Sequence, residues 1–540
     1  MSERAYPGDV IRAAERPLLE AGAQLMERAA QALALFSNAT LRSRRSQVTG
    51  ARVSVLAGPG NNAGDALFAA AALSRDGASV SIVKLFERTH EAGLRAARRA
   101  GARVIDCGAD ASADARDELG RSDLVLDGIF GTGGRRGMPA HVSDLIRDWR
   151  RQGHSAVVIA VDIPSDLVPD DPDRAEAQPP EARIHADHTV TFGGLKAELI
   201  DPRVRRFTGR VHVIDIGLEL DEVQAVAEVM VASDLSADFP RPRPEDHKYS
   251  RGVLGIVAGS QDYPGAGVLT TTSAVGSGIG MIRCLGSPEV AERVLDRHPE
   301  VVTAAGRINA LVMGSGDPEA EFVDQALEAI ADTGIPVVLD AGSLALVERA
   351  GRAGSADSGT GTGADSSAGP DSRARAVLRD RPVVLTPHAG ELSRLLSRLL
   401  GDDISASRIN ADPMGWAAKA ARETGSLVLL KGSQTVIACP DGYCVLPESG
   451  PASLATAGSG DVLSGLIGAL LANAHAQAQR AEGSDLLTPR RLAHVVGLAV
   501  LVHNAAGRFS VNAGQLAEAV GEVVAELLHP RDVPNGTLVQ

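Results

Sequence analysis

The sequence predicts two α/β domains, each a mostly parallel sheet wound with helices on both faces. Three observations carry this. Continuous apolar runs of five to nine residues alternate with Ala-rich helical segments, as strands covered on both faces require. Many of these runs end in glycine turns, where such sheets place their ligand sites. A Pro- and charge-rich stretch, FPRPRPEDHKYSRG (239–252), splits the series in two.

In the first half, residues 8–36 read as an amphipathic helical start, with Leu25, Ala29 and Leu33 at helical spacing. Strands follow at 52–58, 79–85, 123–131, 156–165, 188–194 and 210–218. The second half places strands at 253–260, 310–316, 335–343, 382–391 and 426–442, the last a strand and hairpin. Domain limits follow as 1–230 and 251–530, with a linker at 231–250. The Ser/Gly/Asp tract within 351–375 reads as a disordered loop without chemistry.

Composition removes several function classes. The 540 residues exceed what one core supports. A net charge of −14 argues against general nucleic-acid binding, which needs a basic footprint. The four cysteines show neither a disulfide framework nor zinc spacing. The N-terminus lacks a signal-type apolar region, and no apolar run is long enough to span a bilayer. The expectation is a cytoplasmic chain with no membrane partner.

Three strand-end loops in the first half carry polar oxygens. GPGNNAGDA (58–66) opens a helix with Asn61, Asn62 and Asp65. Its N–H groups suit an anion, although Asn62 as a helix cap accounts for the same residue. Asp127 ends a strand before GIFGTGGRRG, and Asp162 and Ser165 end another. Together these loops suit a hard monovalent cation beside a phosphate-bearing ligand, because such ions prefer oxygen ligands.

In the second half, Asp340 ends a strand, and His388 and Glu391 follow another within TPHAGEL (386–392). Lys431, with the N–H groups of Gly432 and Ser433, suits a nucleotide phosphate. Gly458-Ser459-Gly460-Asp461 opens a long apolar helix. The glycine N–H groups and the helix dipole favour an anion there. Asp461 is then either a helix cap or a general base on a hydroxyl.

On these residues a resemblance can be stated. QLMERAA, GPGNNAGDA, DGIFGTGGRRG, VDIPS and TVTFGGLKAEL together resemble the NAD(P)H-hydrate epimerase domain of the YjeF N-terminal family, over about 8–225. The resemblance implies a Rossmann-like domain that epimerises hydrated NADH or NADPH. It implies potassium on Asn62, Asp127 and Ser165, and hydrate-binding loops at Asn61, Asn62, Ala63, Gly64 and Asp65 and at Gly131, Thr132, Gly133, Gly134, Arg135, Arg136 and Gly137. Asp162 is the implied acid/base. This chain has Ala63, Ala66 and Asp166 where the family usually has glycine.

HKYSRGVLGIVAGSQDYPGAGVLTTTSAVGSGIG, TPHAGEL, LLKGSQTVIACPDG and LATAGSGDVLSGLIGALLA resemble the ADP- or ATP-dependent NAD(P)H-hydrate dehydratase, over about 245–525. The implied second domain is ribokinase-like. It dehydrates the (S)-hydrate by phosphorylating its hydroxyl and losing phosphate, with ADP or ATP as co-substrate and magnesium. Lys431, Gly432, Ser433, Gln434, Thr435, Gly458 and Gly460 would contact the nucleotide; Ala266, Gly316, His388 and catalytic Asp461 would contact the hydrate. The family's GPGLG is GSGDP here (314–318), and its DAD is DAG (340–342). Both domains in one chain look like the bifunctional bacterial NAD(P)H-hydrate repair enzymes, for which a homo-oligomer is expected. The alternative is a ribokinase-type small-molecule kinase with a non-catalytic N-terminal binding module.

Overall fold

The computed structural model describes residues 3–107, 113–132, 137–167, 183–316, 321–347, 377–379, 381–480 and 488–529. The chain forms two compact units, Arg4–Val226 and, with the first three residues, Ala227–Gln540.

In the N-terminal unit a short β1 (Glu3–Tyr6) pairs in parallel with β8 (Leu195–Lys196). The main sheet is built from β2 (Arg52–Ala57), β3 (Ser79–Lys84), β4 (Arg103–Asp106), β5 (Leu124–Gly128), β6 (Val157–Val161), β7 (His188–Phe192) and β9 (Arg210–Ile214), in the order β4-β3-β2-β5-β6-β7-β9. All its pairings are parallel. The strand order reverses between β2 and β5, and the crevice at such a switch point is where doubly wound sheets bind ligands. The glycine loops after β2 and β5 lie at this point. They approach so closely that a Cβ on Gly58 would stand 1.8 Å from the Ile129 carbonyl oxygen.

The expected single helical start is two helices, Gly8–Glu20 and Leu25–Arg45. Gly22 turns between them at φ +83°, a left-handed conformation that ends a helix cheaply only at glycine. The apolar period continues across the turn and hides it. β4 and β1 have runs too short and too polar to stand out.

The C-terminal unit carries β10 (Ala227–Met230), β11 (Val253–Val257), β12 (Met281–Cys284), β13 (Ala310–Met313), β14 (Val337–Leu339), β15 (Val383–Leu385), β16 (Leu427–Leu430), β17 (Val436–Ala438) and β18 (Cys444–Pro447). Their order is β12-β11-β13-β14-β15-β16-β17-β18-β10. Pairing is parallel from β12 to β16, and antiparallel from β16 through β17 to β18. Residues 227–238 differ from the expected end of one domain and start of a linker. β10 pairs in parallel with β18, and a helix follows at Ala232–Asp238. That segment is fastened by His494, whose ring nitrogens lie 3.3 Å from Glu228 and 3.2 Å from Asp238.

The helix Ser459–Arg480 runs through this unit's core, with its apolar residues almost all buried. Its small residues set the packing distance: a Cβ on Gly465 would lie 2.0 Å from the Thr270 carbonyl oxygen of the helix Pro264–Gly276. Among the described residues no helix is long and apolar enough to cross a membrane. Cys439 and Cys444 flank the β17–β18 turn as free, buried thiols, each pushed up to about 12 chiefly by burial. The tract at 351–375 lies outside the described residues.

Candidate functional sites

In the N-terminal unit two polar clusters meet at the switch point. The first joins Asn62, Asp127 and Ser165. Ser165 donates through its hydroxyl to Asp127 Oδ1 (2.5 Å) and through its backbone N–H to Asp127 Oδ2 (2.7 Å). Phe130 N–H donates to Ser165 Oγ (2.9 Å), and Asn62 Nδ2 donates to the Phe130 carbonyl (3.0 Å). Asn62 therefore does not cap its helix (Asn61–Arg75), whose N-cap is Gly60. Its buried Oδ1 has no partner. Asp127 is fully buried, and burial pushes its carboxyl up to about 6 against the Ser165 and Ile129 hydrogen bonds. An orphaned amide oxygen beside a buried carboxylate, a hydroxyl and a carbonyl is an oxygen-only donor set, and it fits a hard cation.

The second cluster surrounds Asp162. Lys196 Nζ lies 2.6 Å from Asp162 Oδ1, and Thr132 Oγ1 donates to Oδ2 at 2.5 Å. Thr191 Oγ1 donates to Oδ1 at 3.2 Å. Burial opposes ionisation of Asp162, but the Lys196 ammonium and the two hydroxyls outweigh it and hold the carboxyl below the usual range. Asp65 behaves oppposite: burial, with Asp162 and Glu15 nearby, pushes it up to about 8. Asp162 also sits at φ +68°, a left-handed position unusual for a non-glycine residue and typical of functional turns. Lys196 belongs to the GGLKAEL stretch, where nothing in the local sequence marks it as a site residue. A lysine followed by a helix reads as solvated surface until its burial is known.

The three departures from glycine are accommodated. Ala63 and Ala66 are fully buried. Asp166, at φ +63°, accepts a hydrogen bond from Gly137 N–H at 3.1 Å. Gly131 and Thr132 lie at the cluster, whereas Gly133, Gly134, Arg135 and Arg136 are outside the described residues.

In the C-terminal unit the ends of β13, β14, β15 and β16 face the start of the helix Ser459–Arg480. Asp461 does not cap that helix in the described residues. Its Oδ1 accepts a hydrogen bond from Ser315 Oγ (2.8 Å), in the loop after β13. Burial raises Asp461 above the usual carboxylate range, with Ser315 and Lys431 pulling the other way and Asp340 adding to the rise. Lys431 Nζ donates to Asp340 Oδ1 (2.8 Å) and lies 3.9 Å from Glu391 Oε2. Burial opposes its charge, but Asp340 and Glu391 raise it on balance. Ser464 Oγ donates to Asp340 Oδ2 at 2.6 Å. A Cβ on Gly460 would stand 3.3 Å from Lys431 Nζ, so ammonium and glycine turn adjoin.

Other expected residues fall into two groups. Ala266 lies on the first turn of its helix, and Gly316 packs its backbone against Gly259. Gly432 and Ser433 are exposed. Gln434 instead turns inward, its Nε2 donating to the Pro447 carbonyl at 2.7 Å. His388 caps the helix Ala389–Leu400, accepting from Gly390 and Glu391 N–H through Nδ1, while its side chain stays 55% exposed. A Cβ on Gly342 would meet the Gly316 carbonyl oxygen at 2.6 Å, so the DAG and GSG loops touch where this chain departs from the family motifs. Among the described residues no group of three or more His, Cys, Asp or Glu is placed to hold a metal ion.

Comparison with known proteins agrees with this division. Residues 22–197 match the YjeF-related protein N-terminus family, and residues 254–362 and 364–508 match the NAD(P)H-hydrate dehydratase family. The bifunctional NAD(P)H-hydrate repair enzyme Nnr of Mycobacterium tuberculosis is 39% identical over 485 residues, covering 87% of this chain and 89% of that one. The NAD(P)H-hydrate epimerase of Microbacterium testaceum is 43% identical over 244 residues, 45% of this chain and 90% of its own. The crystal structure of ADP/ATP-dependent NAD(P)H-hydrate dehydratase from Bacillus subtilis, co-crystallised with ATP/Mg2+, covers 55% of this chain and 97% of its own at 26% identity and a TM-score of 0.41. At 39% identity over most of both chains, the chain belongs to the family of bifunctional NAD(P)H-hydrate repair enzymes.

Proposed function

We propose that the N-terminal unit interconverts the (R)- and (S)-hydrates of NADH and NADPH, and that the C-terminal unit dehydrates the (S)-hydrate with ADP or ATP. The observation that carries the second step is Asp461, a carboxylate turned away from its own helix cap at a glycine turn that faces the half-buried Lys431 ammonium. Asp461 takes the proton of the hydrate hydroxyl as that oxygen bonds the terminal phosphorus of the nucleotide, and the bond to the leaving nucleotide breaks. The N–H groups around Gly458 and Gly460, with Lys431, stabilise the phosphoryl charge. The carbon–oxygen bond to phosphate then breaks and a proton leaves the neighbouring carbon, restoring the ring double bond. Exposed Gly432 and Ser433 border the nucleotide, and Ala266, Gly316 and His388 border the hydrate.

In the first unit Asp162 is the acid/base, with Lys196 holding it ionised and Thr132 and Thr191 aiming it. Asn62, Asp127, Ser165 and the Phe130 carbonyl would hold potassium, which supplies positive charge beside a phosphate-bearing ligand.

The test is recovery of reduced-nicotinamide absorbance from racemic hydrated NADH, given the full chain, magnesium and ADP or ATP. Full recovery supports both activities, and recovery of about half supports dehydration alone. Absence of recovery with either nucleotide refutes the reading. A stable phosphorylated product favours a small-molecule kinase instead.

A further inference from the structure

We propose that Ser315 is a positioning residue for Asp461: its hydroxyl grips one carboxylate oxygen and aims the carboxylate at the hydroxyl to be phosphorylated. The inference rests on the dehydratase reading above. Ser315 Oγ, at 2.8 Å, is the side-chain donor to Asp461 among the described residues. Lys431, the nearest cation, is hydrogen-bonded to Asp340 rather than to Asp461.

The loop that presents Ser315 is pinned from several sides. Gly259 N–H donates to the Ser315 carbonyl, and Ser343 Oγ donates to the Gly314 carbonyl at 3.0 Å. On the far side of Gly316, the Gly342 backbone packs against the Gly316 carbonyl. A hydroxyl held this firmly fixes one carboxylate oxygen and leaves the other for the substrate proton, which is the preorganisation a general base needs.

The charged groups facing Asp461 are few. Asp340, at the end of β14, disfavours its charge, and Lys431, at the end of β16, favours it. Glu391, on the helix Ala389–Leu400, reaches Lys431 rather than Asp461. His503, on the helix Pro489–Gly507, is kept neutral by burial, which lowers it to about 4, and it bonds Ser459. Burial and Asp340 thus both push the base toward its protonated, inactive form, and Ser315 joins Lys431 in opposing them.

Full-chain Ser315→Ala and Ser315→Thr are compared with the unmodified protein for dehydration of hydrated NADH between about pH 5.5 and 9. The expected result for Ser315→Ala is an acid limb of kcat moved up by about one pH unit, the scale of a lost hydrogen bond to a carboxylate. The rate then falls by up to about tenfold on the acid side of the limb, approaches the parent rate at high pH, and KM changes less than about twofold. Threonine restores the parent profile. Should the alanine variant not accumulate folded, Ser315→Cys keeps the shape, weakens the donor and carries the same comparison. An acid limb that stays in place overturns the inference, whether the rate is unchanged or uniformly reduced, and leaves the dehydratase reading intact. No dehydration by the unmodified chain overturns both.

Discussion

Lys196→Met tests the buried ion pair that defines the N-terminal site. The two side chains are 4% and 16% exposed and lie 2.6 Å apart. Methionine keeps the apolar stem and removes the charge, so Asp162 is left buried without its cation. Breaking such a pair from one side costs about 3–5 kcal/mol. For a unit of this size each kcal/mol moves the midpoint by about 2–4 °C, so a fall on the order of 6–20 °C is expected at pH 7. The sign with pH follows from the carboxylate. In the parent, Asp162 lies below its ordinary value, so the pair contributes stability above the unfolded pKa and loses it as pH falls through the folded one. In the variant, burial unopposed by the lysine raises Asp162, which costs stability as pH climbs above the unfolded pKa of about 3.9. The deficit is therefore largest near neutrality and shrinks toward pH 4.5. The chain has two tryptophans, Trp149 in this unit and Trp416 in the other. In a Trp416→Phe background, fluorescence of the buried Trp149 follows the melting of the N-terminal unit alone. An unchanged midpoint at pH 7, or a deficit that does not shrink on acidification, refutes the argument.

Three further outcomes follow from the geometry. Asp461→Asn abolishes dehydration while leaving nucleotide binding, measured by calorimetry, within a few-fold of the parent; loss of folding instead would mark the residue as structural. Gly465→Ala places a methyl 2.0 Å from the Thr270 carbonyl and destabilises the C-terminal unit by about 1–3 kcal/mol or more, read from denaturant unfolding followed by Trp416. Asp127→Asn removes the charged oxygen of the proposed cation site, so thermal stabilisation by potassium chloride over choline chloride disappears; retained stabilisation places the cation elsewhere.

The alternation of apolar runs and helices marked out both sheets, because a strand buried on two faces must be apolar throughout. The loops followed, because glycine turns at strand ends have few other uses. Boundaries were less legible. Runs such as 156–165 continue past the last strand residue, and β6 ends at Val161 where Asp162 turns left-handed. The helix at 232–238 is not legible in the sequence because seven residues hold too little periodicity, and its anchor, His494, lies far along the chain.

The pattern of residue types by itself determined the two α/β halves, the glycine turns and the oxygen-bearing loops, since these depend on spacing within one short segment. Tertiary structure alone decided what each polar group does. His388 and Asp461 both precede or open a helix, yet only His388 caps one. Lys431 follows an apolar strand and Lys196 ends a two-residue one, and each finds an aspartate more than 30 residues away, Asp340 and Asp162 respectively. A charge's partner and its dielectric surroundings are set by which distant loops converge, and no local spacing encodes that convergence.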